Sequence, residues 1–273
     1  MPSKFLLTLS FVCLVLVAAL TMSCGSSGAK PCTGGPYNVV GDWRLTVTDT
    51  GGVPLTMYGA IDSAGLALFF DNSLGDSGDT AELPVMTGTC AISGNVTAYA
   101  EPGGPISGTS SVEAAQGNVI SDSAFTGTFT GAVSGTFSAV SSTPITAVTA
   151  VTGGKTGVII QGPANGQPVL LPLTFSGGGS GNLMIMNFTT TNLAGCEASG
   201  TFTEVGTSNE LEALNVFDVS ITLQPTCPVT GTFTGLGFES STDYFGLNPG
   251  GNADTYLYAD ILDGTNSFVM EIY

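Results

Sequence analysis

The chain has 273 residues, with four Lys or Arg against 21 Asp or Glu, a net charge of −17 and no histidine. So few cations exclude nucleic-acid binding, which needs a basic surface. The missing histidine excludes Ser-His-Asp and Cys-His catalysis and His-ligated zinc. The low charge does not mean disorder, because Val, Ile, Thr and Phe recur in short runs and the polar residues are mainly Thr, Ser, Asn and Gly.

At the amino terminus Lys4 precedes an apolar run from Phe5 to Leu20, then Thr21-Met22-Ser23-Cys24. The run is shorter than the ~20 residues a membrane span needs, and it reads as a secretory signal over residues 1–23. Its end resembles a bacterial lipobox, in which cleavage immediately before a cysteine is followed by acylation of that cysteine. Thr21 stands where that family prefers leucine, and Leu20 lies one place early. The resemblance implies an exported lipoprotein carrying fatty acyl chains (palmitate among them) on Cys24, its membrane partner being the bilayer that holds them. Gly25, standing where an inner-membrane retention signal would be Asp, implies the outer membrane. Cleavage by the ordinary signal peptidase is the alternative.

Residues 24–40 form a small-residue tether without periodicity. Beyond it, strand-like runs alternate with turn clusters: Trp43–Thr48, Leu66–Phe70, Val169–Phe175, Leu183–Thr190 and Val216–Leu223. One helical turn over Glu210–Ala213 is the single exception. The fold class is therefore all-β, an antiparallel curved sheet closed as a barrel or stacked as a sandwich.

Three blocks repeat in the same order. Val53-Pro54-Leu55-Thr56 matches Leu171-Pro172-Leu173-Thr174; Cys90-Ala91-Ile92-Ser93-Gly94 matches Cys196-Glu197-Ala198-Ser199-Gly200; Gly127-Thr128-Phe129-Thr130 matches Gly231-Thr232-Phe233-Thr234. This predicts two related β halves, 41–151 and 152–273, either separate or merged into one core. In each Gly-Thr-Phe-Thr unit, Phe should face the core, its Thr neighbours should face solvent, and the glycine should permit a bulge or bend.

Gly41-Asp42-Trp43 opens the first strand and resembles the Gly-x-Trp signature of lipocalin and avidin-type barrels. The resemblance implies that Trp43 plugs one barrel end, and it makes Trp43 the candidate residue for binding a small apolar ligand. More broadly the chain is similar to Gly/Thr/Ser-rich exported lipoproteins of environmental Gram-negative bacteria.

With Cys13 in the signal and Cys24 acylated, Cys32, Cys90, Cys196 and Cys227 remain for disulfides in an oxidising compartment. The repeat favours Cys196 with Cys227, leaving Cys90 for Cys32. In the first half 19 residues separate Phe70 from Cys90, whereas seven separate Phe188 from Cys196 in the second. The extra length reads as an inserted acidic loop in which Asp71, Asp76, Asp79 and Glu82 are candidate oxygen ligands for calcium, the one cofactor the sequence suggests. No catalytic residues are assigned. Paired carboxylates such as Glu210 with Glu212, or Asp254 with Asp260, are the surviving route to a glycan hydrolase. The expected function is a non-catalytic envelope lipoprotein that binds a ligand or an envelope partner, with a structural or adhesive surface protein as the alternative.

Overall fold

The computed structural model describes residues 37–72, 80–84, 90–99, 111–142, 153–161, 169–180, 183–190, 197–205, 216–225, 230–248, 255–262 and 267–273. Every described element is a β-strand, and every strand pairing is antiparallel. The first eight strands are β1 (Gly41–Asp49), β2 (Pro54–Ile61), β3 (Leu66–Asp71), β4 (Thr80–Pro84), β5 (Ala91–Tyr99), β6 (Ser111–Ser121), β7 (Ala124–Thr130) and β8 (Gly135–Ser141). The next eight are β9 (Gly153–Gln161), β10 (Val169–Ser180), β11 (Leu183–Thr190), β12 (Ala198–Glu204), β13 (Val216–Leu223), β14 (Gly231–Ser240), β15 (Tyr256–Leu262) and β16 (Ser267–Ile272).

The sixteen strands form two closed up-and-down barrels of eight. In barrel 1 each strand pairs with the next, and the seam joins β1 to β8 with Trp43 opposite Ser141 and Asp49 opposite Gly135. In barrel 2 the seam joins β9 to β16, with Gly157 opposite Ile272 and a register shift between Val269 and Met270. Reciprocal backbone hydrogen bonds of 3.0 Å between Thr156 and Tyr273 extend that seam. Closure leaves no unpaired sheet edge, which resolves barrel against sandwich in physical terms.

Alternation along each strand decides what fills the lumen. In barrel 1, Trp43 and Leu45 (β1), Met57 and Ile61 (β2), Phe69 (β3), Phe125 (β7) and Phe137 (β8) point inward and are buried together. Trp43 lies low in the barrel, its ring 4.9 Å from Phe125, with its indole N–H donating to the Val39 carbonyl at 2.8 Å. In barrel 2 the lumen is packed with side chains, including Phe202 against Phe217 and Phe233 edge-on to Phe268 at 4.6 Å.

A third cluster lies between the barrels. Outward residues of β2 and β3 (Ala60, Leu68, Phe70) meet outward residues of β14 and β15 (Leu236, Phe238, Tyr258) and Phe245 of the connection that follows β14. Phe70 lies within 6 Å of the Phe238, Phe245 and Tyr258 rings, and Tyr58 stacks on Tyr244 at 3.9 Å. The connection is tied down locally. Asp243 accepts hydrogen bonds from the amides of Gly246, Leu247 and Asn248, and the Tyr258 hydroxyl donates to the Thr242 carbonyl.

The repeated blocks fall on β2 and β10, on β5 and β12, and on β7 and β14. The extra length after Phe70 carries a strand, β4, which has no counterpart among the described residues between β11 and β12. Barrel 2 still reaches eight strands because β16 follows β15 and closes onto β9.

Candidate functional site

Barrel 1 is filled at one end and hollow at the other. The filled end holds Trp43, Ile61, Val119 and Phe125. Moving along β1 from Trp43, the inward positions become Leu45, Val47 and Asp49, and these line a cavity of about 250 Å³. Leu55 and Met57 of β2, Leu83 of β4, Phe129 of β7 and Phe137 of β8 complete the apolar wall. At the mouth, Val53 in the β1–β2 turn and Val133 in the β7–β8 turn line the cavity while remaining 76% and 48% exposed. Apolar side chains held in water around an apolar hole favour the docking of an apolar group.

Besides Asp49 at the mouth, one buried charged group belongs to this wall. Glu113 of β6 follows the inward alternation set by Ala115 and Val119, and is 3% exposed. Its Oε1 accepts a 3.3 Å hydrogen bond from the Val133 amide, whereas its Oε2 has no hydrogen-bond partner. The carboxylate lies against Gly131, where a Cβ would fall on Oε2. Sequence patterning misses this residue because apolar Val112 attracts the inward assignment. In the structure Val112 is 56% exposed and its acidic neighbour faces the core. Counting back in twos from Val119 through Gly117 and Ala115 is the signal that finds it.

A second concavity of about 600 Å³ lies between the barrels. Glu82 and Leu68 contribute from barrel 1, and Thr201, Thr203, Asp218, Ser220, Thr232 and Thr234 from barrel 2. Burial pushes the Asp218 carboxyl above its ordinary range, with Asp62 adding repulsion. Nearby, Asp260 of β15 sits in register with Leu236 and Val269, both members of the inter-barrel cluster. Neither of its oxygens has a hydrogen-bond partner, and burial, with Glu82 second, holds its carboxyl far above the usual range. Glu271 of β16 is raised to about 7 by burial and by Asp243. The Tyr258 hydroxyl and the Phe245 amide oppose this from nearby without forming a well-shaped hydrogen bond.

The residues singled out from sequence distribute as follows. Trp43 is fully buried at the filled end and does not line the cavity; its role is to close the floor. Asp71 shares the inward face of β3 with Phe69, while Glu82 stands opposite Leu68 on the outward face. The two carboxylates therefore lie on opposite sides of one sheet, and Asp76 and Asp79 lie outside the described residues. Among the described residues no three Asp, Glu, Cys or His side chains gather as a metal site. Cys90 precedes β5, its carbonyl accepting the Val119 amide at 2.8 Å. Cys24, Cys32, Cys196, Cys227, Glu210, Glu212 and Asp254 lie outside the described residues. Asp260 is buried between the barrels, whereas Asp254, its suggested partner, lies outside the described residues.

The molecule is thus a tandem of closed antiparallel barrels, the first with a floored, open-mouthed cavity and the second with a buried apolar cluster in its lumen. No family model, no curated protein and no solved structure matches the chain.

Proposed function

We propose that this chain is an exported, lipid-anchored envelope protein whose first barrel binds a small apolar ligand without transforming it. The observation that carries the binding reading is the 250 Å³ apolar cavity with a Trp43-plugged floor and a mouth ringed by exposed Val53 and Val133. A solid core would bury those side chains against each other, whereas a hollow one leaves contacts for a ligand to make. Export and acylation rest on the signal-like segment ending at Cys24. The cysteine usage agrees with an oxidising compartment. The described chain enters barrel 1 at its plugged end, where the Val39 carbonyl accepts the Trp43 indole N–H.

Methyl-resolved NMR of the protein titrated with linear alcohols of four to eight carbons tests the binding. The Met57, Leu45 and Leu55 methyl signals should shift saturably, and Ala81→Phe, which fills the cavity from β4, should abolish the shifts. Unmoved methyls with every alcohol would refute the reading. The anchoring is checked separately: Cys24→Ala should leave the membrane fraction and lose labelling by a clickable fatty acid. Retained labelling would remove the lipoprotein assignment.

A further inference from the structure

We infer that the barrel 1 cavity selects ligands with a protonated amine head, the ammonium group docking on Glu113. The inference rests on the proposed cavity binding and specifies its ligand chemistry.

A carboxylate removed from water is costly unless its lone pairs are used. Glu113 is nine-tenths buried or more, its Oε1 has one long hydrogen bond and its Oε2 has none. Among the described residues the cations are Arg44 and Lys155. Arg44 alternates with inward Trp43 and Leu45 and so faces out of the barrel, while Lys155 belongs to barrel 2. Neither can neutralise Glu113 inside the lumen. Asp49 at the mouth adds a second negative group on the approach. The wall is otherwise Leu, Val, Ala, Met and Phe, whose side chains offer no acceptor or donor for a polar tail. The chemistry that fits is a short aliphatic or small cyclic body with one cationic N–H donor. Such a head forms charge-assisted hydrogen bonds to the Glu113 carboxylate once its side chain turns Oε2 off Gly131 into the cavity, and these are stronger than those of a neutral hydroxyl. A carboxylate head would meet like charge. The cavity, equal in volume to roughly eight waters of bulk liquid, sets the body at about the size of a six-carbon chain.

The experiment is calorimetric titration of the intact protein at pH 7.5 with hexylamine, hexan-1-ol and hexanoate. Hexylamine should bind roughly tenfold tighter than hexanol, and hexanoate weakest. In Glu113→Gln the amine advantage should fall to within about twofold, with hexanol binding retained. Glu113→Leu should reverse the order, and its folding is checked by its thermal melt. Equal affinity for amine and alcohol, or an amine advantage that survives Glu113→Gln, overturns the inference and leaves an apolar cavity standing. If none of the three binds, the cavity reading itself fails and this inference with it.

Discussion

Asp42 is the residue at which sequence and environment conflict most plainly. It follows Gly41 at the start of β1, is 8% exposed, and burial pushes its carboxyl up to about 6. Its own backbone amide and the Ser142 side chain only partly offset that burial. Because the folded state holds this proton more tightly than the unfolded chain, the shift weakens the fold as pH rises from about 4 to 6. Glu271 extends the same loss to about 7, and relief of the −17 charge on acidification acts in the same direction. Stability to urea should therefore be greatest near pH 4–5 and fall toward pH 8. Asp42→Asn should recover roughly 3 kcal/mol of the difference, the worth of about two pKa units. A profile that rises from pH 5 to pH 8, or is unchanged by Asp42→Asn, would contradict this account. Strand alternation places Glu113 on the inward face but does not reveal the burial of Asp42, which lies on the outward face of β1. Asp260 and Glu271 likewise read as ordinary outward polar positions in alternating strands, and only the surface packed against that outward face makes them buried.

The strands themselves were legible in the sequence because alternation and turn residues are local properties. The runs Leu183–Thr190 and Val216–Leu223 coincide with β11 and β13, and Trp43–Thr48 lies within β1. What local pattern could not carry was closure, which depends on pairing β1 with β8 across most of the first half. Nor did it show β4, a five-residue strand inside an acidic stretch. The Gly-Thr-Phe units were found, but the physical reading changes. At Gly127 and Gly135 the pairing of β7 with β8 runs without a bulge. Gly127 stands opposite Phe137, and Phe129 opposite Gly135, each glycine seating the ring from the facing strand. A Cβ at Gly127 would collide with the Phe137 ring and with the Gln116 carbonyl oxygen. Gly127→Ala should thus cost about 1–3 kcal/mol by overpacking. It should also move Phe137 in the cavity wall and perturb the Met57 methyl signal. A neutral substitution by denaturant titration would show that the ring has room to shift.

At the scale of the molecule, the chain entering barrel 1 is pinned where Cys90 lies. The Asn38 amide donates to Asp122 at 2.7 Å, beside the β6 terminus whose Val119 amide bonds to Cys90. That holds Asn38, close to Cys32 in sequence, at the filled end of the barrel. In barrel 2 the Gln224 amide donates to the Glu197 carbonyl; Glu197 stands next to Cys196 and Gln224 close to Cys227 in sequence. Peptide mapping of unreduced protein should therefore recover Cys32 joined to Cys90 and Cys196 joined to Cys227. The second bond, closing 30 intervening residues, contributes roughly 3–4 kcal/mol in the chain-entropy view. A bond between Cys90 and Cys196 or Cys227 would mean that the halves are stapled to each other.

The seams have a kinetic meaning as well. Each barrel closes only when its first and last strands meet, so Trp43 must wait for Ser141 and Gly157 for Ile272. Hairpins such as β7–β8 form early from local contacts, but the ordering entropy of the whole circuit is spent before the seam rewards it. Refolding should accordingly be slow, on the scale of milliseconds to seconds typical of sheet topologies rich in non-local pairing. During that wait β1, β8, β9 and β16 are open edges in a chain whose halves resemble each other. Exchange of seam strands between barrels, or between molecules, is the misfolding route this architecture carries with it.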